Sequence, residues 1–338
     1  MELFLSLSML VGGITLLVAG GDWLVSGAVA LAERRGVPAL TIGLTIVAFG
    51  TSAPELALNV VVALTGDTAL SFGNMVGSSL ANAGLILGLS AVLRPVKVQS
   101  SLLRRELPML LGAVLLLVTL MLLPGTFGPP GSPPGLSRLD GALLLAGFAA
   151  YLGVLLRAAR RPAEVGWELT GELKEAVRAE PLLSTRRSVG LLLGGLVLLA
   201  AGGKLTETGA VRVATLAGLS AQVIGLTVVS LATTLPELVT SLAALRRGQS
   251  DIALGNVLGS NLFNLLFILG VVAMMATVPL PVGGLSALLA LGALTLLLFP
   301  VSVTFDWTIT RSEGALLVLV YLSIIGYQLW RGLTLPAM

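Results

Sequence analysis

GLTIVAFGTSAPELALNVVVALTGDTALSFGNMVGSSLANAGLILG, from Gly43 to Gly88, and GLTVVSLATTLPELVTSLAALRRGQSDIALGNVLGSNLFNLLFILG, from Gly225 to Gly270, align without a gap at a constant offset of 182 residues. Each copy sets Thr-Ser/Thr-x-Pro-Glu inside one apolar segment and Gly-Asn-x-x-Gly-Ser-x-x-x-Asn inside the next. A carboxylate in a long apolar run is costly and marks a functional site by default. Here it occurs twice, as Glu55 and Glu237, at matched positions.

The 338-residue chain is 56% hydrophobic and 11% charged, with a mean hydropathy of +1.00. A soluble chain of this length needs far more charge to cover its surface. About ten apolar runs reach the ~20 residues that cross a bilayer core, so the chain reads as an all-α polytopic membrane protein. The Met-Glu-Leu-Phe start lacks a basic region and a cleavage site, and is read as part of the first span rather than a removed leader. Cysteine and histidine are absent. That excludes thiolate and imidazole chemistry and leaves oxygen ligands, which suit hard cations such as Na⁺ and Ca²⁺.

The expected spans are Leu3–Ala32, Pro38–Leu64, Thr68–Leu93, Leu107–Leu123, Leu139–Ala159, Ser188–Ala217, Ala221–Leu245, Ile252–Ala276, Leu285–Val303 and Gly314–Leu329. With an external N-terminus, 16 of the 20 Lys and Arg fall in cytoplasmic loops. This bias places both termini outside and explains the basic balance as topology, not nucleic-acid binding. The domain reading is 1–160 as a first five-helix unit, 161–187 as a cytoplasmic linker and 188–338 as a second five-helix unit. The linker stretch TGELKEAVRAE is read as a solvated connection rather than a regulatory domain, since ~30 residues are too few to fold alone. The Pro/Gly-rich loop PGTFGPPGSPPG is expected to be irregular.

The repeat reaches back into the first and sixth spans, where LLVAGGDWLVSGAV from Leu16 matches LLAAGGKLTETGAV from Leu198. Five spans per copy is an odd number, so the second copy enters the membrane from the opposite side, a common plan of ion-coupled carriers. Asp22 and Lys204 occupy matched positions. They could pair across the pseudo-two-fold axis, or each find a local partner such as Glu207 for Lys204.

Pro54 and Pro236 lack an N–H and clash with the carbonyl four residues back, at Gly50 and Ala232, so their helices should break and free carbonyl oxygens. Thr51, Ser52 and Glu55 share a face, as do Thr233, Thr234 and Glu237. In the neighbouring segments Asn74, Ser78 and Asn82 form one polar stripe, and Asn256, Ser260 and Asn264 another. The segments carrying them are also expected to be broken. Glycines beside the stripes, Gly73, Gly77, Gly255 and Gly259, allow close helix approach. Asn74 and Asn256 read as interhelical hydrogen bonders, with ligation as the alternative. Ser78, Asn82, Ser260 and Asn264, a turn deeper, read as ligands. A protonated structural carboxyl is the plainer reading of the two glutamates. Duplication, an adjacent proline and flanking hydroxyls favour a cation cage.

GTSAPE at 50–55, ATTLPE at 232–237, GNMVGSSLAN and GNVLGSNLFN resemble the α-repeats of the sodium/calcium exchanger family, within the calcium:cation antiporter superfamily. The size resembles prokaryotic members without a large regulatory loop. The resemblance implies an antiporter of the inner membrane, not an enzyme, exchanging about three Na⁺ for one Ca²⁺ by alternating access, with no cofactor and functional as a monomer in the bilayer. It makes Glu55 and Glu237 the central carboxylates. Thr51, Ser52, Ser78, Thr233, Thr234 and Ser260 would supply hydroxyl or nearby carbonyl oxygens, as would the carbonyls of Ala48 and Ser230. Asn82 would be a side-chain ligand. Asn264 departs from members that carry Asp there, which leaves two core carboxylates and weighs against K⁺ co-transport. Ser230 and Ala232, where the first copy has Ala and Gly, should tighten the second bend.

Three alternatives fit the residues less well. A Ca²⁺/H⁺ antiporter of the same superfamily would titrate the same glutamates, but that branch carries a different pattern where this chain has GTSAPE. A cation channel builds its pore by oligomer symmetry, not by an inverted repeat in one chain. An intramembrane hydrolase lacks a nucleophile with a base.

Overall fold

The computed structural model describes residues 2–66, 68–122, 134–160, 183–217 and 230–334. In chain order its helices are α1 (Glu2–Arg35), α2 (Ala39–Thr51), α3 (Ala53–Thr65), α4 (Thr68–Leu93), α5 (Leu102–Leu122) and α6 (Arg138–Arg160). Then follow α7 (Thr185–Leu216), α8 (Ser230–Thr233), α9 (Leu235–Arg246), α10 (Ser250–Met275), α11 (Gly284–Val303) and α12 (Arg311–Thr334). Helix is what hydrocarbon demands, because it closes every backbone hydrogen bond within the segment. Among the described residues seven helices are long and apolar enough to cross a membrane, or eight if the bent pair α2–α3 is one span. The remaining expected spans fall on α8–α9, whose preceding residues 218–229 lie outside the described set, and on α12. Most of the linker, the stretch TGELKEAVRAE, and nearly all of the Pro/Gly-rich loop also lie outside it.

Two small antiparallel pairings qualify the all-α expectation. β1 (Val96–Lys97) pairs with β4 (Thr308–Ile309), and β2 (Gly135–Leu136) with β3 (Val278–Pro279). Each joins a loop of one half of the chain to a loop of the other.

α1 and α7, of 34 and 32 residues, are as long as the sequence implied, about 50 Å at ~1.5 Å per residue. They pack antiparallel along a stripe of glycines spaced by seven. A Cβ added at Gly20 would sit 2.9 Å from the Gly195 carbonyl oxygen, and one at Gly195 would sit 2.7 Å from that of Gly20. A Cβ added at Gly202 would sit 2.8 Å from the Gly13 carbonyl oxygen, one at Gly27 2.6 Å from that of Ser188, and one at Gly209 2.8 Å from that of Ser6. No side chain fits in this seam, so the two backbones touch directly.

The breaks are where proline dictates, with one correction. The bend between α2 and α3 is 45°, at Ser52, whose φ and ψ are −87° and 3°. Thr234, at the matched position between α8 and α9, has φ −87° and ψ −2°. Broken helices were also expected in the third and eighth segments, but α4 and α10 run unbroken. Neither contains proline, so no N–H is lost. Instead each widens into one π-turn, at Ala81–Ile86 and Phe263–Ile268. These turns match residue for residue across the repeat, and each contains a predicted ligand, Asn82 or Asn264. A third π-turn, Gly43–Val47, precedes the α2 break, and the Tyr151 hydroxyl of α6 donates to its Leu44 carbonyl at 3.1 Å. π-turns of this kind concentrate at functional sites.

Candidate cation-binding site

Pro54 and Pro236 each sit in the first turn of a new helix, where a missing N–H costs nothing. That places Glu55 in the first turn of α3 and Glu237 in the first turn of α9. At a helix N-terminus the backbone dipole favours a carboxylate, so both acids stand where a negative charge is best tolerated. Both are 1% exposed.

The two breaks meet. Ser52 Oγ donates to Glu237 Oε1 at 3.0 Å. Thr51 Oγ1 donates to Asn256 Oδ1 at 3.0 Å, and Asn256 Nδ2 donates to the Glu237 carbonyl at 3.2 Å and to Ser241 Oγ at 3.0 Å. One amide thus ties α2, α9 and α10 together, and Asn256 is interhelical glue in this state. Its counterpart Asn74 is only half-buried, and its Nδ2 has no partner. The glycines follow the same asymmetry. Gly255 and Gly259 are pressed against Leu40, Leu44 and Ala48 of α2, whereas Gly73 is exposed.

Several oxygens of the expected set have no donor among the described residues. Both carboxylate oxygens of Glu55, Oε2 of Glu237, the hydroxyls of Ser78 and Ser260, and Oδ1 of Asn82 and of Asn264 are buried without a hydrogen-bond partner. Leaving one such group unpaired costs about 1–3 kcal/mol, more if charged. Nor does a Lys or Arg neutralise either acid: the three ion pairs among the described residues are Arg105–Glu106, Lys204–Glu207 and Arg247–Asp22. Donor-less oxygens and acids that no protein cation neutralises are the ligand types that suit a hard metal ion.

Thr233 and Thr234 stand at the second break, both buried, and the Thr234 hydroxyl donates to the Leu231 carbonyl at 2.9 Å. Ala48 fits the expected set least well. Its carbonyl already accepts the Ser52 N–H at 3.0 Å. Ser230 opens α8, and the residues before it lie outside the described set. Asp22 and Lys204 do not pair. Lys204 holds Glu207 at 3.1 Å, and Asp22 lies 3.8 Å from Arg247.

Four residues of the site's surroundings escaped sequence reading. Asn59 donates to the Glu55 carbonyl at 2.7 Å. Ser241 accepts from Asn256. Asn261 accepts from Asn82 Nδ2 at 3.0 Å. Thr240 is buried with an unpartnered hydroxyl. Asn59 had a visible signal, lying four residues after Glu55 on its face. Asn261 adjoins Ser260 in the motif itself, but it lies off the i, i+4 stripe.

The profile of the family described as sodium/calcium exchanger protein matches residues 5–157 and 187–330. The Sodium/calcium exchanger MaX1 of Methanosarcina acetivorans is 31% identical over 338 residues, covering 93% of this chain and 95% of that protein. Inner membrane protein YrbG of Escherichia coli is 34% identical over 278 residues, 80% of each chain. A solved structure of the sodium-calcium exchanger NCX_Mj, soaked with zero Na⁺ and Ca²⁺, superposes with a TM-score of 0.80 at 29% identity, covering 96% of this chain and 99% of that one.

Proposed function

The chain belongs to the sodium/calcium exchanger family of membrane-embedded secondary transporters, and from that premise we propose that it exchanges Na⁺ for Ca²⁺ through the site between Glu55 and Glu237. One observation carries the proposal: two buried acids stand in matched helix starts, the second held by Ser52 of the first break, and hydroxyl and amide oxygens of the expected set have no protein donor.

Glu55 and Glu237 supply the charge. Thr51, Ser52, Ser78, Asn82, Thr233, Thr234, Ser260 and Asn264 supply neutral oxygens, with Ser230 and, less readily, Ala48 adding carbonyls. Two ionised carboxylates neutralise one Ca²⁺, whereas three Na⁺ leave the site at about +1. An exchange of three for one therefore moves net charge and responds to voltage at ~2.3 kcal/mol per charge per 100 mV. Loading with either ion removes the uncompensated negative charge that opposes passage through hydrocarbon, and this gates alternating access. α1 and α7, long and packed against each other along the glycine seam, are the moving pair.

The ten-helix inverted repeat, with 1–160 and 188–338 as its halves and 161–187 as linker, is supported by the matched π-turns, matched break geometry and symmetric glycine seam. The loop charges support a cell-membrane protein with both termini outside. Because every named ligand comes from one chain, a monomer suffices.

The test is ⁴⁵Ca²⁺ uptake into Na⁺-loaded proteoliposomes diluted into Na⁺-free buffer, repeated with an imposed pH gradient. Uptake driven by the Na⁺ gradient is expected. Uptake that follows a proton gradient and ignores Na⁺ would assign the chain to proton coupling instead.

A further inference from the structure

Asn82 and Asn261 form a buried amide pair across α4 and α10, 1% and 0% exposed. Asn82 Nδ2 donates to Asn261 Oδ1 at 3.0 Å, and both the Asn82 Oδ1 and the Asn261 Nδ2 at the far ends have no partner. A carboxamide has one end that attracts cations and one that repels them, in nearly the same shape. Which end faces the cage is set by what holds the other. We propose that Asn261 is a positioning residue: it fixes the Asn82 amide so that oxygen, not nitrogen, is presented to the transported cation. This rests on the reading of Asn82 as a ligand in the exchange site.

The second half of the chain lacks the device. Ser79 matches Asn261, and Asn264 matches Asn82. Ser79 is buried with an unpartnered hydroxyl. Among the described residues no hydrogen bond holds the Asn264 side chain, whose Oδ1 is unpartnered. The two amide ligands are therefore unequal. Asn82 offers an oxygen already oriented by its bond to Asn261 when a cation arrives, while Asn264 must be oriented by the ion itself. Asn82 consequently contributes more to Ca²⁺ affinity than its pseudo-symmetric mate.

The test uses the purified full chain, with equilibrium ⁴⁵Ca²⁺ binding beside Na⁺-driven exchange in proteoliposomes. Asn261→Leu keeps the branched shape and removes the acceptor. Asn261→Asp keeps an acceptor oxygen. Asn261→Ser, which copies Ser79, provides the same readout should the leucine variant fail to purify. The leucine or serine variant is expected to weaken Ca²⁺ binding about five- to tenfold, and the aspartate variant not to weaken it. Combined with Asn82→Leu, the Asn261→Leu change should add nothing further, because its effect passes through Asn82. Wild-type affinity in Asn261→Leu or Asn261→Ser, equal loss in Asn261→Asp, or losses that multiply in the double variant would each overturn the assignment. A wild-type protein without Na⁺-dependent Ca²⁺ exchange would overturn the functional reading instead.

Discussion

The Ser52 hydroxyl donates to the Glu237 carboxylate across 3.0 Å, so a residue of the first helix break holds the acid of the second. Hydrogen bonds to charged groups contribute about 1.5–3 kcal/mol. Ser52→Ala should therefore weaken the apparent affinity for Na⁺ and Ca²⁺ by about tenfold or more while leaving a protein that purifies normally. Ser52→Thr, which copies Thr234, should restore it. Initial rates of ⁴⁵Ca²⁺ exchange against ion concentration check both, and a wild-type KM in Ser52→Ala would remove the bond from the mechanism.

Asn256 and Asn74 should differ sharply in stability. Asn256 makes bonds to Thr51, to the Glu237 carbonyl and to Ser241, whereas the Asn74 amide nitrogen makes none. Asn256→Ala should cost about 2–4 kcal/mol, several times one net hydrogen bond of about 1 kcal/mol, and Asn74→Ala less than about 1. Thermal unfolding in detergent measures the difference, and equal losses would show that the asymmetry has no energetic content.

The glycine seam predicts opposite outcomes for substitutions that look alike. Gly202→Val would drive a side chain into the Gly13 carbonyl, 2.8 Å from the new Cβ, and should destabilise by about 1–3 kcal/mol or more, as overpacking does. Gly190→Ala meets no atom within 4 Å and should be neutral or stabilise by up to about 1 kcal/mol through helix propensity. Melting temperatures of the two variants decide it.

Asn264→Asp adds a third carboxylate to a cage that otherwise has two. It should tighten Ca²⁺ binding and change the preference among Na⁺, K⁺ and Ca²⁺, since ligand charge sets affinity for hard cations. Unchanged apparent affinities for all three ions would place Asn264 outside the coordination shell.

What could be read from the sequence was what carries a cost in hydrocarbon. Glu55, Glu237, Pro54 and Pro236 stand out because a charge or a missing N–H inside an apolar run has to be compensated. The long first and sixth spans and the break positions followed from the same reasoning. The π-turns at Asn82 and Asn264 leave no residue signature, so the third and eighth segments read as broken when they change their hydrogen-bond pattern without losing continuity. Asn256 reads as an interhelical hydrogen bonder, and its bonds to Thr51, the Glu237 carbonyl and Ser241 agree. Lys204 takes Glu207, the partner its i, i+3 spacing offers, while the contact of Asp22 with Arg247 was not legible, because a matched position fixes symmetry and not distance. The glycine stripe is a missed signal: Gly13, Gly20 and Gly27, and again Gly195, Gly202 and Gly209, recur every seven residues.

The central claim is that Glu55 and Glu237 act as the two charges of one cage. The most direct measurement is Na⁺-driven ⁴⁵Ca²⁺ uptake by Glu55→Gln and Glu237→Gln, each reconstituted beside wild type after confirming a matching elution profile. Each substitution keeps the side-chain volume and removes one negative charge from a site that must neutralise Ca²⁺. The prediction is exchange in the wild type and none above protein-free liposomes in either variant. Wild-type rates in a properly folded Glu55→Gln or Glu237→Gln protein would contradict it.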